Sequence, residues 1–357
     1  MTKKVTTGNL LIGCIDAGNG KAKGLGNARP DVIKFEPLVA PITEKRGLEG
    51  DERVPQFTLK DGPQHLVFGL DDVTEFGKWA QRRRLNALER YTDPDYFRIL
   101  NVQLLQLFAA YRGQGEYIEP VIALSLPISQ YNNVEVTTAI RKQLVGKHEL
   151  MGLDACQLRI NIRDEKLALV PESYGALMHW AYDLKTLKAR HPMAGTIVIV
   201  DIGYETTDVS VFAGGKYQRD SSFSLERAGM GIVARAIRDF IGKSIRGTDV
   251  TRIDRAMRSL AGLPPGMEKK IEVLEGVTVD VTDVYDSEIS NLGVRIAQDV
   301  LTQYTDAATR IVVTGGGDCH LGAMMTNELG SLVEHSDDAE DANLLGGYIA
   351  LKLKAQR

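Results

Sequence analysis

"IVIVDIGYETTDVSV", Ile197 to Val211, is an apolar run that ends in an aspartate, turns through a glycine and resumes as a strand. An unbroken apolar row bounded by turn residues predicts a buried strand, and its continuation predicts a hairpin. A second stretch has the same build. "IGCIDAGNGKAK", Ile12 to Lys23, is an apolar strand, an aspartate, two glycines around an asparagine, and then lysines. Either turn alone is an ordinary surface hairpin. Two of them, with Asp16 and Asp201 at the same place in each, predict an internal duplication.

The surrounding chain fits two related halves. At 357 residues it is long for one core, so two domains are expected. Hydrophobic residues make up 43% and charged residues 25%, ordinary for a globular protein. A net charge of −4 gives no reason to expect binding to nucleic acid or an anionic membrane by bulk electrostatics. The first apolar run is interrupted by Asp16 and is too short for a signal-peptide core, and no run approaches the ~20 apolar residues that span a bilayer. Cys14, Cys156 and Cys319 are widely spaced and odd in number, which argues against a disulfide framework or zinc site and for a reducing cytoplasm.

Strand and helix patterns alternate along both halves, which predicts an α/β fold. "FRILNVQLLQLFAAY" (Phe97–Tyr111) has helical apolar spacing, "PVIALSLPISQY" is a buried strand stopped by Pro127, and "NNVEVTTAIRKQLVGK" is a helix behind an Asn cap. "QLRINIRDEKLALVPES" alternates as a hairpin would, and "SYGALMHWAYDLKTL" follows as a helix. After the second aspartate hairpin come a helix opening on Gly229 and Gly231, the loop "LAGLPPGMEKKIE", the helix "SEISNLGVRIAQDVLTQY", the strand "RIVVTGGGDC", and a closing helix, "DANLLGGYIALKLK".

The hairpins suggest phosphate chemistry. Successive N–H groups in a tight glycine turn form a concave donor site suited to phosphate oxygens, which Gly18, Asn19 and Gly20 provide in the first loop and Gly203, Thr206 and Thr207 in the second. Lys23 adds a point charge for the β- and γ-phosphates. Asp16 and Asp201 cannot meet phosphate directly, because like charges repel, but each can hold a hydrated Mg²⁺ that bridges to it. Glu205 in the second loop is repulsive to phosphate and is expected to point away, while Asp208 braces the loop. Arg82, Arg83 and Arg84 read as a solvated face, with a filament contact as the alternative.

"DAGNGKAK" and "DIGYETTDVS" resemble phosphate loops one and two of the actin superfamily of ATPases. "PESYGALMHW" resembles its first connecting helix, "TGGGD" its adenosine motif and "ANLLGGY" its second connecting helix, all in the family's order across nearly the whole chain. "LSLPISQY" and "INIRDEKLALVPESYGAL" further resemble the bacterial plasmid-partitioning actins, the ParM/StbA group.

The resemblance implies an actin-like fold of two related α/β domains with mixed sheets around a nucleotide cleft, residues 1–172 with 341–357 forming one and 173–340 the other. It implies ATP as ligand, GTP not being distinguished, with Mg²⁺ held through water by Asp16 and Asp201. Glu172 would polarise the attacking water, Gly229 would begin a helix beside the base, and Gly315, Gly316 and Gly317 would pack against adenine and ribose. The implied activity is ATP hydrolysis coupled to filament growth, segregating plasmid DNA through a DNA-binding adaptor at a plasmid centromere. No direct nucleic-acid or membrane contact is expected. Another cytoskeletal filament, or a non-polymerising ATPase of the sugar-kinase type, is the alternative, although no carboxylate motif for a kinase base is evident.

Overall fold

The computed structural model describes residues 10–18, 21–35, 40–42, 57–61, 64–68, 93–152, 156–242, 245, 250–274, 276–304 and 308–356. Asn19, Gly20 and the arginines at 82–84 lie outside them. The chain divides into two units, Met1–Gly175 with Leu344–Arg357, and Ala176–Asn343.

The first unit is built on strands β1 (Ile12–Ala17), β2 (Ala22–Gly26) and β3 (Arg29–Phe35), which form an antiparallel meander. Three strands, β4 (Ala40–Ile42), β5 (Phe57–Asp61) and β6 (Gln64–Phe68), make a separate small sheet. Helix α1 (Pro94–Leu107) is started by Asp93, whose Oδ1 accepts the Asp95 N–H at 2.8 Å, and by Pro94 in its first turn. Its apolar face buries Leu100, Leu104 and Leu107 completely or nearly so, each stabilising by about 1.5–3 kcal/mol relative to exposure. Then follow β7 (Val121–Leu126), the single-turn α2 (Ile128–Tyr131), and α3 (Val134–Leu144). Asn133 caps α3 by accepting the N–H groups of Glu135 and Val136.

Here the structure corrects the hairpin expected over "QLRINIRDEKLALVPES". Strand β9 (Gln157–Ile162) pairs antiparallel with β8 (Gly146–Met151), whereas β10 (Leu167–Pro171) lies parallel to β7 in the main sheet. The alternation of β9 is real, since every second residue is buried, but its partner comes from before it in the chain. The main sheet runs β10-β7-β1-β2-β3, with β7 parallel to β1. Helix α4 (Glu172–Ala181) follows β10 directly.

The second unit repeats this order. Strands β11 (Thr196–Ile202) and β12 (Thr207–Ala213) form its antiparallel hairpin, extended by β13 (Lys216–Tyr217) and β14 (Phe223–Leu225). Helices α5 (Gly231–Gly242) and α6 (Val250–Met257) precede a second hairpin, β15 (Lys270–Leu274) with β16 (Val277–Asp280). After α7 (Thr282–Tyr304) comes β17 (Arg310–Thr314), then α8 (Asp318–Leu329), β18 (Val333–His335) and α9 (Ala342–Ala355). The sheet runs β13-β12-β11-β17-β18, with β17 parallel to β11 and β18 parallel to β17. In both units a hairpin is thus flanked, beside its first strand, by two parallel strands. The segment read as the loop "LAGLPPGMEKKIE" ends in β15, and its Lys269 is fully buried. Its ammonium reaches Asp286 at 2.9 Å and the Pro264 and Met267 carbonyls at 2.7 and 3.1 Å, which offsets the desolvation of the charge.

Candidate functional site

In the first unit Asp16 lies near the end of β1, directly across from Lys23 on β2. Opposed residues of an antiparallel pair share a face. A carboxylate and an ammonium therefore come out together beside the turn, and both are largely buried, at 6% and 8% exposure. Gly18 opens the turn, with the Lys21 carbonyl 3.0 Å from where a Cβ would stand. Cys14, on the same face as Asp16, is buried; desolvation and then the Asp16 charge push its thiol up to about 12. It is a packing residue, not a nucleophile.

Gln103 of α1 braces the base of this hairpin and was not singled out from the sequence. Its Nε2 donates to the carbonyl of Asp16 at 3.1 Å and to that of Lys23 at 2.7 Å, spanning the two strands at the pair that carries the charges. The side chain is fully buried, and its Oε1 has no hydrogen-bond partner among the described residues. A signal was present: Leu100, Gln103, Leu104 and Leu107 share one helical face, so an amide occupies an apolar position. Gln103→Leu should lower stability by about 2–4 kcal/mol, because two buried carbonyls lose their donor. Urea unfolding measures this, and an unchanged midpoint would show that other groups satisfy those carbonyls.

In the second unit Asp201 is the penultimate residue of β11 and is 7% exposed. Val198, Val200 and Ile202 point into the core shared with α5 and α7, so alternation brings Asp201 out on the opposite face. Directly across, Asp208 is buried and accepts the Ser224 hydroxyl at 2.6 Å. The turn is closed by Gly203 N–H donating to the Thr206 carbonyl at 2.9 Å. Thr206 is half-buried. Thr207 is fully buried, and its hydroxyl donates to the Ala228 carbonyl at 2.5 Å, so this hydroxyl serves the fold. The Glu205 carboxylate is paired with Arg235 of α5 at 3.1 Å, and Arg238 pairs with Asp239 at 2.6 Å.

The loop is also stitched to the start of α5. Met230 N–H donates to the Gly203 carbonyl at 3.1 Å and Gly231 N–H to that of Tyr204 at 2.7 Å. At Gly229 a Cβ would stand 2.5 Å from the Tyr204 carbonyl oxygen, so only glycine lets the loop cross there. The need for glycine at this position is met within the protein.

The triple-glycine turn after β17 meets the same aspartate. Gly315 has φ +88°, and a Cβ on it would collide with Asp201 Oδ1. Gly317 N–H donates to the Ile202 carbonyl at 2.9 Å, and a Cβ there would strike the Ile202 side chain. Of the three, Gly316 alone has open space where a Cβ would go. The other Asp201 oxygen, Oδ2, accepts the Nδ2 of Asn343, the second residue of α9, at 2.6 Å.

Glu172 opens α4 immediately after β10. Register places Asp16 beside Ser125 on β7 and Ser125 beside Val170 on β10, so Glu172 leaves the sheet at the same end as Asp16. It stands two strands away, roughly 10 Å by strand spacing.

Each hairpin therefore carries a buried, hard carboxylate near the end of its first strand, Asp16 and Asp201, and in the second hairpin the facing Asp208 is engaged by Ser224. No group of three or more His, Cys, Asp or Glu able to hold a metal gathers among the described residues. One carboxylate per loop fits Mg²⁺, which keeps most of its water and takes one or two carboxylates. No helix of the described residues is long and apolar enough to cross a membrane.

Residues 199–327 match the family model of the C-terminal part of archaeal MreB-like actin homologues. No curated protein matches the chain in sequence. Among solved structures, the apo pSK41 ParM protein is similar at 17% identity and TM-score 0.70, covering 98% of this chain and 100% of its own. The archaeal actin homologue Ta0583 is similar at 19% identity and TM-score 0.74, covering 96% of this chain and 100% of its own. A subunit of a 15-stranded ParM filament from Clostridium botulinum is similar at 15% identity and TM-score 0.75, covering 97% of this chain and 100% of its own.

Proposed function

We propose that this chain, which has the actin-like fold, is a nucleotide-dependent, filament-forming ATPase that segregates plasmid DNA. The observation that carries the reading is the repeated hairpin, with Asp16 and Asp201 at equivalent strand ends in two sheets of the same order. A magnesium nucleotide would supply the reacting phosphoryl group and a divalent charge. The turn N–H groups and Lys23 would hold its phosphates, Asp16 and Asp201 would hold the water shell of the metal, and Glu172 would orient the attacking water. The solved ADP complex of Ta0583 supports a nucleotide, and the ParM filament supports self-assembly. The net charge of −4 gives no reason to expect direct contact with DNA, and the resemblance to partitioning actins implies that the filament would meet its cargo through a DNA-binding adaptor at the plasmid centromere. Such a filament works in the cytoplasm.

The expected result is that purified protein scatters light on addition of Mg·ATP, with a lag and a critical concentration, and neither with ADP nor without nucleotide. GTP run in parallel decides the base preference. Protein that stays monomeric or dimeric at tens of micromolar over a range of salt would replace this reading with a non-polymerising kinase of the same fold.

A further inference from the structure

We propose that Asn343 is the positioning residue of Asp201, and that its amide oxygen supplies a second acceptor to the water shell of the divalent cation. The inference rests on the magnesium-nucleotide reading above. The Asp201 carboxylate is fixed from two sides. Asn343 Nδ2 donates to Oδ2 at 2.6 Å, and the bare Cα of Gly315 borders Oδ1, where any Cβ would collide. An amide donor has a property that lysine or arginine lacks: it orients the carboxylate and leaves its negative charge whole. A cation there would pair with Asp201 and compete with the metal.

The carboxylate also decides which way the amide faces. With Nδ2 committed to Asp201, Oδ1 is directed elsewhere; it is buried and has no hydrogen-bond partner among the described residues. Buried carbonyl oxygens are nearly always satisfied by protein or by ordered water. A carbonyl oxygen held beside a carboxylate offers two hard acceptors to donating water, which is what a hydrated Mg²⁺ presents. The start of α9 thus contributes to the second hairpin a residue that neither its turn nor its strands contain.

The test is the magnesium dependence of nucleotide binding, read by fluorescence titration of an N-methylanthraniloyl-ATP probe into full-length protein in MgCl₂ or in EDTA, with melting temperature recorded alongside. Asn343→Ala should lose about tenfold or more of the affinity gained from magnesium, the scale of removing a residue that orients a metal-site carboxylate, while binding in EDTA stays within about twofold of the parent. The exchange Asp201→Asn with Asn343→Asp remakes one amide–carboxylate hydrogen bond with the charge moved. It should recover the melting temperature without recovering the magnesium response, and it carries the test if Asn343→Ala does not fold. A full magnesium response in Asn343→Ala, or its return in the exchange variant, overturns the proposal alone. A parent protein whose nucleotide binding ignores magnesium overturns the metal reading of the hairpins, and this proposal with it.

Discussion

Glu172→Ala binds ATP about as tightly as the parent, still polymerises, and releases phosphate at least ~10²-fold more slowly; this is the expected result, the lower range for a positioned acid–base group. Glu172 shares its end of the sheet with Asp16 but stands two strands away, across β7, so it is not part of the hairpin assigned to the phosphates. On the proposed reading a carboxylate there would act on water approaching the terminal phosphate and contribute little to holding the nucleotide. If filaments come apart after hydrolysis, as proposed, those of the variant should persist, because the ATP-bound subunit would no longer be converted. The competing account is that Glu172 only interacts with the N-terminal end of α4, worth about 0.3–1 kcal/mol. In that case melting drops slightly while phosphate release and filament lifetime stay at parental values, and that pair of results rejects the catalytic role.

Asp201→Ala should lower turnover by about 10²–10³, the scale for removing one charge-stabilising group. The loss is larger than any effect of the substitution on folding predicts. Removing one partner of the Asn343 hydrogen bond costs about 1–3 kcal/mol, partly offset because a buried charge disappears. Turnover at saturating Mg·ATP, corrected for the folded fraction, separates the two contributions. Near-parental turnover would remove Asp201 from the metal site. Asp201→Asn is the sharper comparison, because it retains the shape and removes the charge.

What the sequence carried and what it withheld follow from how far apart the interacting residues are. Both aspartate hairpins were legible because an apolar strand, an Asp and a glycine turn are all local, and the observed ladders run through Asp16 opposite Lys23 and Asp201 opposite Asp208. The helical face of α1 was legible for the same reason. Strand partners were not: β9 alternates as expected, yet its mate is β8, whose "GKHELM" is too polar to announce a strand. The β15–β16 hairpin was hidden by its charged, alternating residues and by a loop reading of the segment before it. At the candidate site the charged residues could be named, but not what orients them. Gln103 is 80 residues from the Lys23 carbonyl it holds, and Asn343 is 142 from Asp201. Likewise glycine at 229 and 315 could be read as a demand for space, while the Tyr204 carbonyl and the Asp201 carboxylate that make the demand belong to another segment.

The crossing of the second loop over α5 also decides what that helix can recognise. A helix start normally concentrates about half a positive charge in N–H groups that lack partners within the helix, and so attracts anions. In α5 part of that donor set is already met by carbonyls: Gly231 N–H by Tyr204 and Ile232 N–H by Gly229, with Met230 N–H just before them met by Gly203. Those donors hold the loop, so a shift of the second turn must either break the two bonds from Met230 and Gly231 or carry the start of the helix with it.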